Sequence, residues 1–473
     1  MNRWVPAFRF APILILLNII IAKPVDAASA YNCSNIVIDK VWSGAPARIA
    51  VISTSDAVYA AYYNQFRYIT AAKIDLANCM VERKPLSSRY GGYDTHNYIS
   101  MIFDEHRILH ISGNMHNVPL VYYRAKRPFD IESLSAALMT GVNEKSVTYP
   151  TFFMNNSNLY FMYRDGYSGS GSTYINKLED HLATSKANES WTKLTDRPIF
   201  ADHALVNAIS TPVSAYPSPM VRGQDNYYHY AIDWRQTGDV ATNFAVSYVK
   251  TMDFITWFDA AGKKLKLPIS FEQINPSVTV PGLNNGLVNS VKVDFTTSRK
   301  PVILYTRYAN TNLGLRNGIY ASIYEDGKWT AKLLATSTNL IDIKGSGSLS
   351  FLPYFSTFSH YGAVSRLTYQ FHNEPRQHID LDAETLMPTN SVPVIAPVQS
   401  ISPSPVAVLP GLESDPLVAL QSAAIQTQGG PLVSVRWRSL PANNDRPFSC
   451  PPSPAAYCNP PPSDLILDTL WPK

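Results

Sequence analysis

The sequence is poor in charge, in cysteine and in long apolar runs, and each shortage excludes something. Of its 473 residues 16% are charged, and the formal net charge is +4. No basic run is available to hold nucleic acid, so an anionic ligand has to be met by a few placed cations. Four cysteines occur, Cys33, Cys79, Cys450 and Cys458, with no C-x-x-C pair. A cysteine-built zinc site is therefore not expected. In an oxidising compartment the four are expected to form two disulfides. Cys450–Cys458 would staple a Pro-rich loop, and Cys33–Cys79 would tie the N-terminal region to the first strands. His203, His229, His360, His372 and His378 show no ligand spacing such as H-x-x-x-H, and no metal or other cofactor is expected. Long helical periodicity is missing too. The exceptions are short: "DIESLSAALMTG" (130–141) and "GLESDPLVALQSAA" (411–424).

The one strongly apolar run, "APILILLNIII" (11–21), follows Arg3 and Arg9 and precedes the small residues of "KPVDAASA" (23–30). It is shorter than the ~20 residues needed to span a bilayer. Residues 1–30 read as a secretory signal peptide, cleaved between Ala27 and Tyr31. The expected mature protein, residues 31–473, is secreted or periplasmic, free of the membrane and monomeric.

What the chain does have is aromatics and turn formers: 28 Tyr, 19 Phe, 35 Pro and 22 Gly. Short apolar–polar alternations recur, among them "RIAVIS", "AVYAAYYN", "NLYFMYR", "YYHYAIDW" and "PVILYTRY". "GIYASIYEDGKWTAKLL" has Asp326-Gly327 at its centre, a hairpin signal. Strands ending in an aromatic and an arginine recur at Arg124, Arg164, Arg235 and Arg307, spaced by 40, 71 and 72 residues. That spacing fits blades of four strands with loop insertions. "TMDFITW" (251–257) is a degenerate Asp-box turn. The expected fold is all-β: a seven-bladed β-propeller of four-stranded antiparallel blades. It forms one domain over 31–473, with a Pro/Ser-rich insertion at about 387–416.

Residues 94–124, "DTHNYISMIFDEHRILHISGNMHNVPLVYYR", carry two His–Asn clusters. If Glu105-His106-Arg107 is a three-residue turn, Ser100 opposes Ser112, Ile102 opposes His110, and His96 falls opposite His116. Directly opposed side chains lie ~5 Å apart at Cβ. Two imidazoles at one spot disfavour charge on each other, and a neutral imidazole can act as a general base. Asn97 and Asn114 would orient the rings or bind a ligand's polar groups. The alternative is that both histidines satisfy buried backbone groups at a blade end. "YRDGYSGSG" lacks the Lys-Ser/Thr of a P-loop and reads as a tight loop after Arg164. That arginine could fork onto a carboxylate or pair with Asp165. Tyr216 and Arg235 repeat the same logic in "AYPSPMVRGQDNYYHYAIDWRQTGDVATN" (215–243).

"HNYIS…SGNMHNVPL", "VTYPTFF", "YRDGYSGSG" and "WRQTGDVATN", spread over about residues 45–335, resemble the BNR-repeat secreted propellers that include the seven-bladed ulvan lyases. The resemblance implies cleavage of a uronate glycan by β-elimination, with His96 and His116 in acid–base work and substrate contact. It implies Tyr149 as a proton donor or acceptor, Arg164 as neutraliser of the carboxylate, and Tyr216 and Arg235 as substrate contacts. Some relatives hold a structural zinc through a "TNHD" stretch and a following cysteine. This chain has Thr242-Asn243-Phe244-Ala245 and Ser247 there, so zinc is not expected, and calcium has no motif support. Two other functions compete: a propeller that binds carbohydrate without cutting it, and a sialidase-type hydrolase. The latter lacks a Glu partner for its nucleophile.

Overall fold

The computed structural model describes residues 33–179, 191–206, 209–389, 419–426, 431–449 and 460–470. The expected signal peptide, the Cys450–Cys458 pairing and nearly all of the 387–416 insertion lie outside them. Cys33 and Cys79 form the expected disulfide.

Among the described residues the chain is almost wholly β. Its helical content is two 3-10 turns, Val240–Thr242 and Phe271–Gln273. The short helix expected at 130–141 does not form, and the one expected at 411–424 is not found over its described residues, 419–424. The Asp130 carboxylate accepts the N–H groups of Glu132 and Ser133, as an N-cap would, yet no helix follows. The strand Ser135–Ala136 comes next instead. In the second segment Ala419–Gln426 is a strand, while 411–418 lie outside the described residues.

The strands build antiparallel sheets that succeed one another along the chain, as in a propeller. Ala50–Ser53, Ala57–Tyr63, Tyr68–Asp75 and Val81–Arg89 form one sheet. Ser100–Phe103, Leu109–Ser112, Tyr122–Arg124 and Ser135–Ala136 form the next. Residues 116–265 supply an eleven-stranded sheet that divides at a single parallel pair, Gly171 with Ser214. Lys292–Thr336 and Tyr354–Asp382 give two more. The last sheet unites Ala419–Gln426, Leu432–Ser439 and Ser463–Leu470 with the N-terminal strand Ile36–Val41. A separate two-stranded sheet, His203–Val206 with Ile209–Pro212, completes the set among the described residues.

Stacking explains the composition. "AVYAAYY" (57–63) alternates in identity, yet every residue in it is buried. Ala57, Tyr59, Ala61 and Tyr63 pack towards the following sheet, with Leu109, Ile111 and Tyr123. Val58, Ala60 and Tyr62 pack towards the closing sheet, with Val433, Val435 and Leu467. A blade's inner strands have a neighbour on each face, so apolar residues fill both. The degenerate Asp-box is the turn between Asn243–Thr251 and Trp257–Phe258. Asp253 Oδ1 accepts the N–H groups of Ile255 and Thr256, and the indole of Trp257 donates to the Phe254 carbonyl. Phe254 and Trp257 are fully buried in the core of their sheet.

Candidate active site

The hairpin register inferred from sequence is the one found between Ser100–Ser112 and Phe103–Leu109. The expected continuation to a His96–His116 ladder pair does not occur. Pairing stops at Ser100, and His116–Val118 crosses to the next sheet, where His116 opposes Thr148. Asn114 and Asn117, at φ 62° and 57°, turn the chain there; asparagine tolerates the left-handed region better than most residues. The two imidazoles meet all the same, with ring centroids 4.5 Å apart and planes tilted by 31°.

What joins them is Asp94, a residue the sequence reading passed over. His96 Nδ1 lies 2.5 Å from Asp94 Oδ1, and His116 Nδ1 bonds Asp94 Oδ2. An ionised carboxylate can only accept, so each Nδ1 carries a proton, and in a ring that holds no second proton Nε2 is the basic atom. Neither Nε2 has a hydrogen-bond partner among the described residues. Burial pushes the Asp94 carboxyl up, but the hydrogen bonds from His116 and His96 outweigh it and hold the group well below the usual carboxylate range. The loop is braced: the Asp94 carbonyl accepts Tyr90 Oη at 2.8 Å and Asn97 Nδ2 at 3.1 Å, and Thr95 Oγ1 donates to Ser348 Oγ at 2.6 Å. Asn97 thus holds the loop, while Asn114 Nδ2 donates to Ser88 Oγ at 2.7 Å. Both line a groove with Asp94 and His116. The ligating atoms of Asp94, His96 and His116 lie within 4.8 Å of one another, a set that could hold a metal ion. Sequence spacing gives no sign of it, because the two histidines are 20 residues apart and come together through a turn.

Beside this cluster a cavity of about 500 Å³ is lined by Arg48, Tyr98, Tyr149, Arg164, Tyr216 and Asn289, among others. Tyr149 enters it from a bulge: pairing slips between Thr148 and Thr151, and Tyr149 takes φ 62°. A bulge re-aims a side chain out of the ladder. The Tyr149 ring stands edge-on to His96 and to Tyr216, each at 6.0 Å between centroids. Burial raises its phenol well above the ordinary tyrosine value, as does Tyr216, against the pull of Arg164. The phenol is therefore protonated at neutral pH.

Arg164 is 2% exposed and has no acidic partner among the described residues. The alternative pairing with Asp165 is not made; Asp165 accepts the Ser146 N–H instead. Nη2 of Arg164 donates to Asn117 Oδ1 at 2.9 Å and Thr148 Oγ1 at 3.1 Å, Nη1 to Tyr216 Oη at 3.4 Å, and Nε is buried without a partner. The glycine-rich stretch makes room for it. A Cβ at Gly171 would fall 2.8 Å from Arg164 Cδ. Tyr216 Oη also contacts Ser168 Oγ at 2.6 Å. Arg235 is held by the carbonyls of Gly238 and Asp239, with its guanidinium 5.6 Å from the Tyr216 ring centre. It lines the adjoining cavity with His96 and Asn289. Arg48, unremarked in the sequence, lies 4.2 Å over Tyr98. The residues gathered here include all eight sequence candidates.

Residues 242–247 offer no histidine or cysteine to a metal. Phe244 and Ala245 are buried in an apolar core, and Ser247 accepts the Trp234 indole N–H.

Fold and groove together define a β-propeller with an open, cationic and aromatic cleft. The chain belongs to the BNR repeat-containing family, whose model matches residues 57–337, more than half of its length. No curated protein matches it. Among solved structures it is similar to the polysaccharide lyase Uly1, at 12% identity and TM-score 0.54, covering 93% of this chain and 98% of that one. That likeness is one of fold. A PL25 ulvan lyase bound to -[GlcA(1-4)Rha3S]- matches at 14% identity and TM-score 0.47, covering 75% and 99%. An α-L-arabinanase of Penicillium chrysogenum matches at 11% and 0.37, covering 79% and 92%.

Proposed function

We propose that the protein is an exported polysaccharide lyase that cleaves a uronic-acid-containing, ulvan-like glycan of rhamnose with glucuronate or iduronate by β-elimination. The observation that carries this reading is Arg164. A buried guanidinium bonded only to neutral acceptors is uncompensated charge, and an incoming carboxylate supplies the missing anion. Neutralising the uronate lowers the barrier to removing its C5 proton.

Nε2 of His96 or His116, held by Asp94 in the tautomer that leaves it free to accept, takes that proton. The C4–O4 bond breaks, the C4–C5 double bond forms, and the Tyr149 phenol protonates the departing O4. One proton leaves carbon and one reaches oxygen, so the enzyme returns to its starting state by exchange with water. Tyr216, Arg235, Asn97 and Asn114 contact the chain along the groove. Hydrolysis by paired carboxylates is less well supported: among the described residues lining these cavities Asp94 is the sole carboxylate, and it is engaged by both imidazoles.

The test is ultraviolet absorbance of the new double bond when mature protein meets ulvan and a panel of uronate glycans. Absorbance should rise with wild type and stay flat with His116→Ala and Arg164→Ala. Glycan binding with a flat trace across the whole panel would replace this reading by the binding-only propeller.

A further inference from the structure

We propose that Asp94, His96 and His116 also form a binding site for a divalent transition-metal ion, and that filling it switches the groove off. Two imidazole nitrogens and a carboxylate oxygen converge within 4.8 Å. Their side chains are 23%, 22% and 17% exposed for His96, His116 and Asp94, so an ion reaches them from solvent and keeps an open coordination position. The rings lie side by side, centroids 4.5 Å apart, and both Nδ1 atoms point to the same carboxylate. Little rearrangement is then needed beyond moving the proton of each Nδ1 to Nε2 of the same ring as the cation takes its place. The carboxylate is fixed in advance, since its Oδ1 also accepts the His96 N–H at 2.9 Å and its loop is braced by Tyr90 and Asn97. Two imidazoles with one carboxylate select zinc, cobalt or nickel over calcium and magnesium, which want an all-oxygen shell.

The consequence for the groove follows from the tautomer. A metal on Nδ1 forces the remaining proton of a neutral ring onto Nε2, turning the free acceptor into a donor. No base is then left to take a proton from carbon. This inhibitory half rests on the lyase reading; the binding half does not.

The experiment uses untagged mature protein stripped with a chelator and titrated with Co²⁺, whose visible absorption reports nitrogen and oxygen ligation. One Co²⁺ per chain is expected, displaced by Zn²⁺ and not by Ca²⁺. Asp94→Asn and His116→Ala should each weaken it by roughly tenfold or more. In the wild type, Zn²⁺ should protect His96 and His116 from diethylpyrocarbonate, read by peptide mass spectrometry, so the result stands even where a variant folds poorly. Elimination should fall by roughly 10²-fold at saturation. Absent saturable Co²⁺ binding, or a spectrum indifferent to both variants with His96 and His116 unprotected, overturns the site. Co²⁺ bound as described with elimination unaffected overturns the switch. Co²⁺ bound as described in a protein that cuts no uronate glycan leaves the metal site standing and removes the lyase reading.

Discussion

Asp94 decides which nitrogen of two histidines is left open to the groove, because its carboxylate engages both Nδ1 atoms. Asp94→Asn keeps the shape but can donate as well as accept, so the tautomer is no longer imposed. A fall in kcat of about 10²–10⁴-fold with KM little changed is expected in steady-state kinetics. The same residue couples stability to acidity. Its folded-state pKa is depressed, so its contribution is fully present above the unfolded value of about 4 and is lost as pH falls towards the folded value. Thermal melts of wild type should therefore drop more steeply below about pH 4 than those of Asp94→Asn. Tyr149→Phe removes only the phenolic oxygen. It should cost kcat roughly 10²–10⁴-fold while leaving the melting temperature near wild type, since Tyr149 Oη makes no hydrogen bond within the protein among the described residues. His96, His116, Tyr149 and Arg164 were legible in the sequence because a family pattern and unusual pairs of residue types mark them. Asp94, Asn117 and Arg48 were not. A single acidic, amide or basic residue in a loop has no periodicity, and its role exists only once two sheets meet.

At the scale of elements, alternation and turn chemistry carry far. The register of Ser100–Phe103 on Leu109–Ser112 follows from one three-residue turn. Its end does not, because the strand that receives His116 comes from the next sheet, and no local rule announces a change of partner. The bulge that presents Tyr149 has one local cue, Pro150, which cannot donate to a ladder and sits where pairing slips between Thr148 and Thr151. Glycine at 171 gives one test. An added Cβ meets the Arg164 stem at 2.8 and 2.9 Å, so Gly171→Ala should displace the guanidinium and cut kcat/KM by about 10²-fold. Phe254 gives another, for the Asp-box turn as a structural plug. Phe254→Ala empties a fully buried site and should cost about 3–5 kcal/mol in denaturant unfolding, with the groove chemistry retained.

For the whole molecule, the sheet that matters most is the one shared by both ends of the described chain. Arg436 and Asp468 form a buried pair there at 2.6 Å, and Arg436 also reaches Asn35. Asp468→Ala leaves that guanidinium buried and unpaired, at an expected loss of about 3–5 kcal/mol. The closure also orders events in time. Ser34 donates to the Thr469 carbonyl and the Asn35 N–H to Asp468, across more than 430 residues, whereas the other sheets are assembled from neighbouring stretches. During synthesis those sheets can form as they emerge, but Ile36–Val41 has no strand to join until Ser463–Leu470 has left the ribosome. Until that stretch arrives the propeller is an open row of blades, and Ile36–Val41 waits through the synthesis of the sheets between for its mate.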